Sequence, residues 1–275
     1  MKLGSYILDE LLDKNKAENI AGEIQRLIHA ANSDKFNIHT CLDLLGFVDA
    51  SSILDIGCGP GSSTIIIKSH NDKGTVVGVD REINFINYAN SNYADITTNF
   101  CCNIVNSLPF EDNTFDICYS RFLFQHLVDP IAFFNEICRV TKPGGKIGIY
   151  EQDCDLNCFY PEPRHLQKMI RAISIVQRYS GGDMFFGKKL FHMFHKAGLD
   201  DIKITRLFRD TINPGREAIC QSLFGYRTFD ETHPYVKMKI VTLNEIQEYR
   251  DDMMSIIDST DSFISFGGYF VYGKK

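Results

Sequence analysis

The chain has 275 residues, 44% of them hydrophobic, and a formal net charge of −6. This length suits one large domain or a domain with a cap, with enough apolar residues for a substantial core. The acidic balance and the lack of a Lys/Arg run argue against nucleic acid. No stretch reaches the roughly 18 apolar residues of a membrane span.

The N-terminus has no apolar segment of secretory type, and its first 50 residues read as helical. Ile20, Ile24, Leu27 and Ile28 form one apolar stripe. Ile38, Leu42 and Leu45 form a shorter one, ended by Gly46. The chain then alternates. "SILDIG" predicts a buried strand and "SSTIIIKS" a helix, "TVVGVD" a strand and "EINFINYANS" a helix. "NFCC" and "FDICYS" are the next strands. "DPIAFFNEICRV" is a helix with Asp129 as N-cap and Pro130 at its first position. "KPGG" is a turn and "KIGIYE" a fifth strand. Helices follow over residues 165–179 and 187–197, the latter closed by Gly198. "DIKITRLFRDTI" and "SFISFGGYFVYG" alternate as strands. The expected fold is α/β: a Rossmann-like, seven-stranded, mostly parallel sheet with helices on both faces. Its expected parts are a helical N-terminal lid (1–50), a ligand-binding core (51–153), a helical cap (154–186), and the rest of the core (187–275) with a helical insertion at about 214–260. The nine cysteines are scattered and read as reduced thiols of a cytoplasmic protein.

"ILDIGCGPGSST" joins a strand to a helix through Gly57, Cys58, Gly59, Pro60 and Gly61. Such a corner lets backbone approach a ligand with no Cβ in the way. Its GxGxG spacing is not the GxGxxG of pyrophosphate binders, and Asp55 would repel a pyrophosphate while suiting an ammonium. Asp80, 19 residues after Gly61 at the end of the second strand, can accept hydrogen bonds from both ribose hydroxyls. Cys58 lies where backbone does the binding and is not expected to be a nucleophile.

Together with "VVGVDRE", "SLPFEDNTFDICYSRFLFQHLVDP" and "RVTKPGGKIGIYE", this corner resembles the class I S-adenosylmethionine-dependent methyltransferases. The nearest likeness is to the small-molecule group that includes ubiquinone-pathway C-methylases. The resemblance is strong over residues 50–152 and extends more loosely to "GKKLFHMFHKAGLDDI". It implies S-adenosylmethionine as cofactor and S-adenosylhomocysteine as product. Gly57, Cys58, Gly59 and Gly61 would line the cofactor, with Asp55 near its ammonium, Asp80 at the ribose and Arg81 flanking the adenine. Asn103 and Ile104 would meet the adenine edge, Asn103 standing where an acid is usual. Ser120 and Arg121 would lie by the methionine portion.

Methyl transfer from a sulfonium is an in-line displacement helped by alignment and water exclusion. A base is needed only when the nucleophile must lose a proton. The candidates are His126, Glu151 and Asp153, with Tyr150 as an orienting neighbour. Each has a structural alternative: a packing or capping histidine, or a carboxylate tied to backbone amides. Phe122, Phe124, Phe159 and Tyr160 are candidates for an aromatic acceptor pocket, against core packing. Cys154, Cys158 and His165 are incomplete as a zinc site, so no metal is expected. Cys101 and Cys102 read as buried, and of His192 and His195 one is expected to be exposed. The expected partners are a small-molecule acceptor, no nucleic acid and no membrane span, with the chain a monomer or homodimer. Alternatives are a cofactor-binding partner or sensor without turnover, an NAD-type oxidoreductase disfavoured by the glycine spacing, and a nucleic-acid methylase disfavoured by charge and by "YSRF" where an N/D-P-P-Y/F tetrad would stand.

Overall fold

Short apolar runs separated by glycine-rich or capped turns become the strands β1 (Ser52–Ile56), β2 (Thr75–Asp80), β3 (Thr98–Cys102), β4 (Phe115–Arg121), β5 (Thr141–Gln152), β6 (Cys158–Tyr160), β7 (Asp200–Asp210) and β8 (Phe263–Lys274). The computed structural model describes residues 20–46, 51–103, 107–212, 215–219 and 233–275. The sheet order is β3-β2-β1-β4-β5-β8-β6, with β7 also paired to β8. Strands β1 to β5 are parallel, and β8 is antiparallel to β5, β6 and β7. The sheet therefore has eight strands rather than the expected seven. The extra strand is β6, inside the segment read as a helical cap, where Cys158, Phe159 and Tyr160 pair with Ser265, Ile264 and Phe263 beyond the end of β5.

The helices are α1 (Ile20–Ser33), α2 (Lys35–Leu45), α3 (Ser62–Lys68), α4 (Ile83–Tyr93), α5 (Pro130–Val140), α6 (Leu166–Tyr179), α7 (Leu190–Lys196), α8 (Pro234–Lys237) and α9 (Leu243–Asp258). Strand side chains alternate between faces, so neighbouring residues feed different cores. Ile53, Ile117, Tyr119 and Tyr150 pack with Ile38, Leu42 and Leu45 of α2 and Ile67 of α3. Leu54, Cys118, Ile147 and Ile149 pack with Phe133, Phe134 and Ile137 of α5 and Phe194 of α7. Covering both faces is what a parallel sheet requires.

The local signals act as expected in several places. The Asp129 carboxylate accepts from the Ala132 amide at 2.9 Å and starts α5 at Pro130. Gly46 ends α2 in the left-handed region at φ 54°. The "KPGG" turn is a bulge inside β5, between the pairs Phe115↔Thr141 and Ile117↔Lys146. Other expectations are corrected. The helix read over 187–197 divides into a 3₁₀ turn at Gly187–Lys189 and α7. His192 and His195 are both exposed, because α7 buries Leu190, Met193 and Phe194 instead. Cys101 is half-buried and Cys102 exposed, since they end the outermost strand of the sheet. Within the insertion read over 214–260, the described helices are α8 and α9.

Candidate active site

All the parallel strands present their carboxyl ends at one edge, and the chain order reverses between β1 and β4. That is where an open α/β sheet makes its ligand cleft. The Gly57 and Cys58 amides both donate to the Val79 carbonyl, at 2.8 and 3.1 Å, which fastens the glycine loop to β2. The Gly59 amide donates to Asp80 Oδ2 and the Glu82 amide to Oδ1, each at 2.9 Å. Each carboxylate oxygen is thus aimed by one backbone donor and keeps acceptor capacity for a hydroxyl. Burial raises the pKa of Asp80, while these amides pull it back.

The glycines do different work. At Gly59 (φ +54°) a Cβ would meet, among the described residues, only Leu27 Cδ1, at 3.6 Å, so α1 lies over this part of the loop. At Gly61 (φ +90°) a Cβ would lie 2.9 Å from the Phe100 ring and 3.1 Å from Ala89 Cβ. Gly61 therefore allows close packing of the loop on β3 and α4. Asp55 is 1% exposed and accepts from Thr64 Oγ1 at 2.7 Å. Burial pushes its carboxyl up to about 7. It braces the loop from inside.

Other expected cofactor residues gather at the same edge. Arg81 is exposed after β2. The Asn103 amide donates to the Asp80 carbonyl at 3.0 Å, and its side chain donates to the Ser107 carbonyl at 2.6 Å. Ile104 lies outside the described residues. Ser120 Oγ donates to the Ile56 carbonyl at 3.0 Å, joining β4 to β1. Arg121 reaches across to the N-terminal helices: its Nη2 and Nε lie 2.6 and 3.0 Å from Asp34 Oδ2, in the turn between α1 and α2. Its guanidinium also covers the Phe122 ring at 4.3 Å.

The three candidate bases are all engaged. Glu151 is fully buried and accepts from the Leu123 and Phe124 amides at 2.6 Å each and from the Gln125 amide at 3.4 Å. Burial drives its carboxyl up to about 8 against the pull of those amides. Phe122, at φ 55°, turns the chain so that these three N–H groups converge. Asp153 is likewise buried and accepts from the Lys188 and Asp155 amides at 2.9 and 3.1 Å. Both carboxylates hold loops, the structural alternative weighed for them. His126 is exposed, and its Nδ1 lies 2.8 Å from Gln177 Nε2, which also donates to the Gln125 carbonyl at 2.7 Å. Two acceptors around one nitrogen identify it as the amide N, so His126 Nδ1 accepts and its proton sits on Nε2.

A cavity of about 480 Å³ lies beyond β5, between β6 and α6; its apolar lining includes Phe159, Leu166, Ile170 and Phe185. Of the four aromatics expected in an acceptor pocket, Phe159 alone lines this cavity. Phe124 is core, Phe122 lies under Arg121, and Tyr160 is 69% exposed. Cys154 and Cys158 also line the cavity, whereas His165 pairs with Glu248 at 2.7 Å. Among the described residues no three ligating side chains cluster as a metal site, and no helix is long and apolar enough to cross a membrane. Asp34, Gln177 and Arg209 were not foreseen. They are polar residues in a turn, a helix and a strand, and only their distant partners mark them.

Comparison with known proteins agrees with this fold. A family described as a methyltransferase domain matches residues 54–149. An O-methyltransferase of Aspergillus nomiae is 30% identical over 171 residues, 61% of this chain and 72% of that protein. An uncharacterized methyltransferase of Schizosaccharomyces pombe is 36% identical over 119 residues, 40% of this chain and 43% of that one. The chain spans about half the length of the first relatives it matches. A solved phosphoethanolamine N-methyltransferase of Haemonchus contortus, in complex with phosphomonomethylethanolamine and S-adenosylhomocysteine, superposes with a TM-score of 0.60 at 18% identity, covering 98% of this chain and 60% of that one. At that identity the likeness concerns the fold.

Proposed function

The chain belongs to the class I S-adenosylmethionine-dependent methyltransferases, and we propose that it methylates a small-molecule acceptor by in-line displacement beneath its N-terminal helices. The observation that carries this reading is the pairing of the Gly59 amide with the Asp80 carboxylate at the β1–β4 edge. The pairing suits a ribose-bearing ligand: an acceptor carboxylate beside a loop surface that a Cβ at Gly59 would fill. When bound, S-adenosylmethionine supplies an electrophilic methyl group on its sulfonium.

This chain's residues bind, orient and exclude water. Gly57, Cys58 and Gly59 would offer backbone, Asp80 would take the ribose hydroxyls, and Arg81 and Asn103 would frame the base. Asp55 acts from inside the loop by holding Thr64. Leu27 and the Asp34–Arg121 pair close α1 over the cleft, which strengthens electrostatic interactions by removing water. Glu151 and Asp153 hold the 122–126 and 153–155 loops in register, so alignment of acceptor and methyl donor is the main source of rate. His126, with its proton on Nε2, donates a hydrogen bond to the acceptor more readily than it removes a proton. The cavity beside Phe159 and Phe185, whose wall also carries Asp155, Asn157 and Glu162, is the proposed place for part of an acceptor, and the relatives named for phosphoethanolamine and a sterol act on small molecules. The cytoplasm is the proposed compartment, in keeping with the eight described cysteines all being unpaired.

Calorimetric titration tests the reading: S-adenosylhomocysteine should bind and NAD should not. Binding of NAD with no binding of S-adenosylhomocysteine would overturn it. The engagement of all three candidate bases favours one second reading, a cofactor-binding protein without turnover. Methyl transfer to any member of an acceptor panel would exclude it.

A further inference from the structure

Arg209 is the penultimate residue of β7 and only 8% exposed. β7 runs antiparallel to β8, and β8 antiparallel to β5, so β7 ends at the same edge as β5 and β4. Leu207, two residues earlier on the same face, packs in the core beneath α2. Arg209 thus rises from that core to the rim of the cleft. Its guanidinium lies 5.4 Å from the centre of the Phe122 ring, which Arg121 also covers at 4.3 Å.

The charges in this group do not balance. Asp34 is 1% exposed, and its oxygens accept from Arg121 at 2.6 and 3.0 Å and from Asn37 Nδ2 at 2.8 Å. Arg209 Nε comes no nearer to Asp34 Oδ1 than 3.7 Å and is a buried nitrogen with no hydrogen-bond partner. Its whole guanidinium makes no hydrogen bond among the described residues. Among the described residues, Asp34 is the carboxylate at ion-pair distance from both guanidinium groups, and its hydrogen bonds go to Arg121. A buried cation whose counter-ion makes no hydrogen bond to it is unfavourable unless another anion arrives, and a planar guanidinium is the side chain best matched to an oxyanion.

We propose that Arg209 receives an anionic group of the acceptor, a carboxylate or phosphate, over the Phe122 ring. The inference rests on the methyl-transfer reading and narrows its acceptor to oxyanion-bearing molecules. Asp34 and Arg121 lock each other and leave Arg209 Nε without a hydrogen-bond partner.

The test uses the full chain, with inorganic phosphate and benzoate as probes and S-adenosylhomocysteine as a control. Either probe should raise the melting temperature of the wild type and shift the Arg209 Nε–H resonance in a saturable manner. In Arg209→Met the anion response should weaken by about tenfold or more, because the charge-assisted bonds are gone. That variant keeps an apolar stem and removes the unmatched charge. Without anion it should therefore melt at or above the wild type, where a purely structural arginine would give a clear loss. Arg209→Lys should keep part of the phosphate response. Failure of both probes to shift the resonance, or a Met variant that responds like the wild type, overturns the proposal. If S-adenosylhomocysteine alone abolishes the response, the anion is the cofactor's own carboxylate and the assignment to the acceptor falls. If S-adenosylhomocysteine does not bind at all, it is the methyl-transfer reading that fails.

Discussion

Replacing Glu151 by Ala should loosen the turn after β4 before it touches any chemistry. The carboxylate accepts two amide hydrogens at 2.6 Å and a third at 3.4 Å, all buried or nearly so. An unmade buried hydrogen bond costs about 1–3 kcal/mol, so the two short ones alone amount to about 2–6 kcal/mol. At about 2–4 °C per kcal/mol for a chain of this size, the melting temperature should fall by roughly 5–20 °C. Glu151→Gln keeps a carbonyl oxygen for the two short bonds and should recover most of that loss. The same residue sets a pH dependence. Its folded pKa, about 8, lies above the ordinary 4.5, so between these values the folded state holds more protons than the unfolded one. Stability then declines as pH rises toward 8. Glu151→Gln, which cannot titrate, should flatten that decline. Thermal melts of the wild type and both variants at pH 6 and pH 9, each with S-adenosylhomocysteine titrations, measure all of this. An Ala variant that melts like the wild type would refute the anchoring role. So would a Gln variant with native melting and cofactor binding but no turnover at any pH, which would make Glu151 a base.

Gly61→Ala places a Cβ 2.9 Å from the Phe100 ring at φ +90°. Left-handed strain of about 1–2 kcal/mol and overpacking of about 1–3 kcal/mol add to about 2–5 kcal/mol, to be read by denaturant unfolding. Asp34→Asn removes the carboxylate that lies within ion-pair distance of two buried guanidinium groups and should cost about 3–5 kcal/mol. Adding Arg209→Met to it should restore part of that loss, and a double variant no more stable than Asp34→Asn would count against the charge imbalance drawn from the 3.7 Å gap.

The corner was legible because its parts are local. Gly57, Gly59 and Gly61 stand within a few residues of Asp55, and Asp80 follows at the end of the next strand. The Asp129 cap and the stripe Ile38, Leu42, Leu45 needed no distant partner either. The fate of the candidate bases was not legible. Glu151 reads equally as a base or an anchor until Phe122 turns three amides toward it, and those amides lie 26 to 28 residues away. Strand β6 was missed for a similar reason. Three residues carry almost no period, and only the overhang of β8 beyond β5 gives them a partner.

Alternating apolar runs and glycine spacing determined by themselves the parallel sheet and the kind of ligand its edge can take. Both depend on backbone conformation and side-chain periodicity, which neighbouring residues set. The tertiary structure alone decided which polar groups are satisfied. Asp34 meets Arg121 across 87 positions of chain, and Arg209 is left unmatched beside them. Pairing of buried charges depends on distances of a few ångströms between segments that folding, not sequence proximity, brings together.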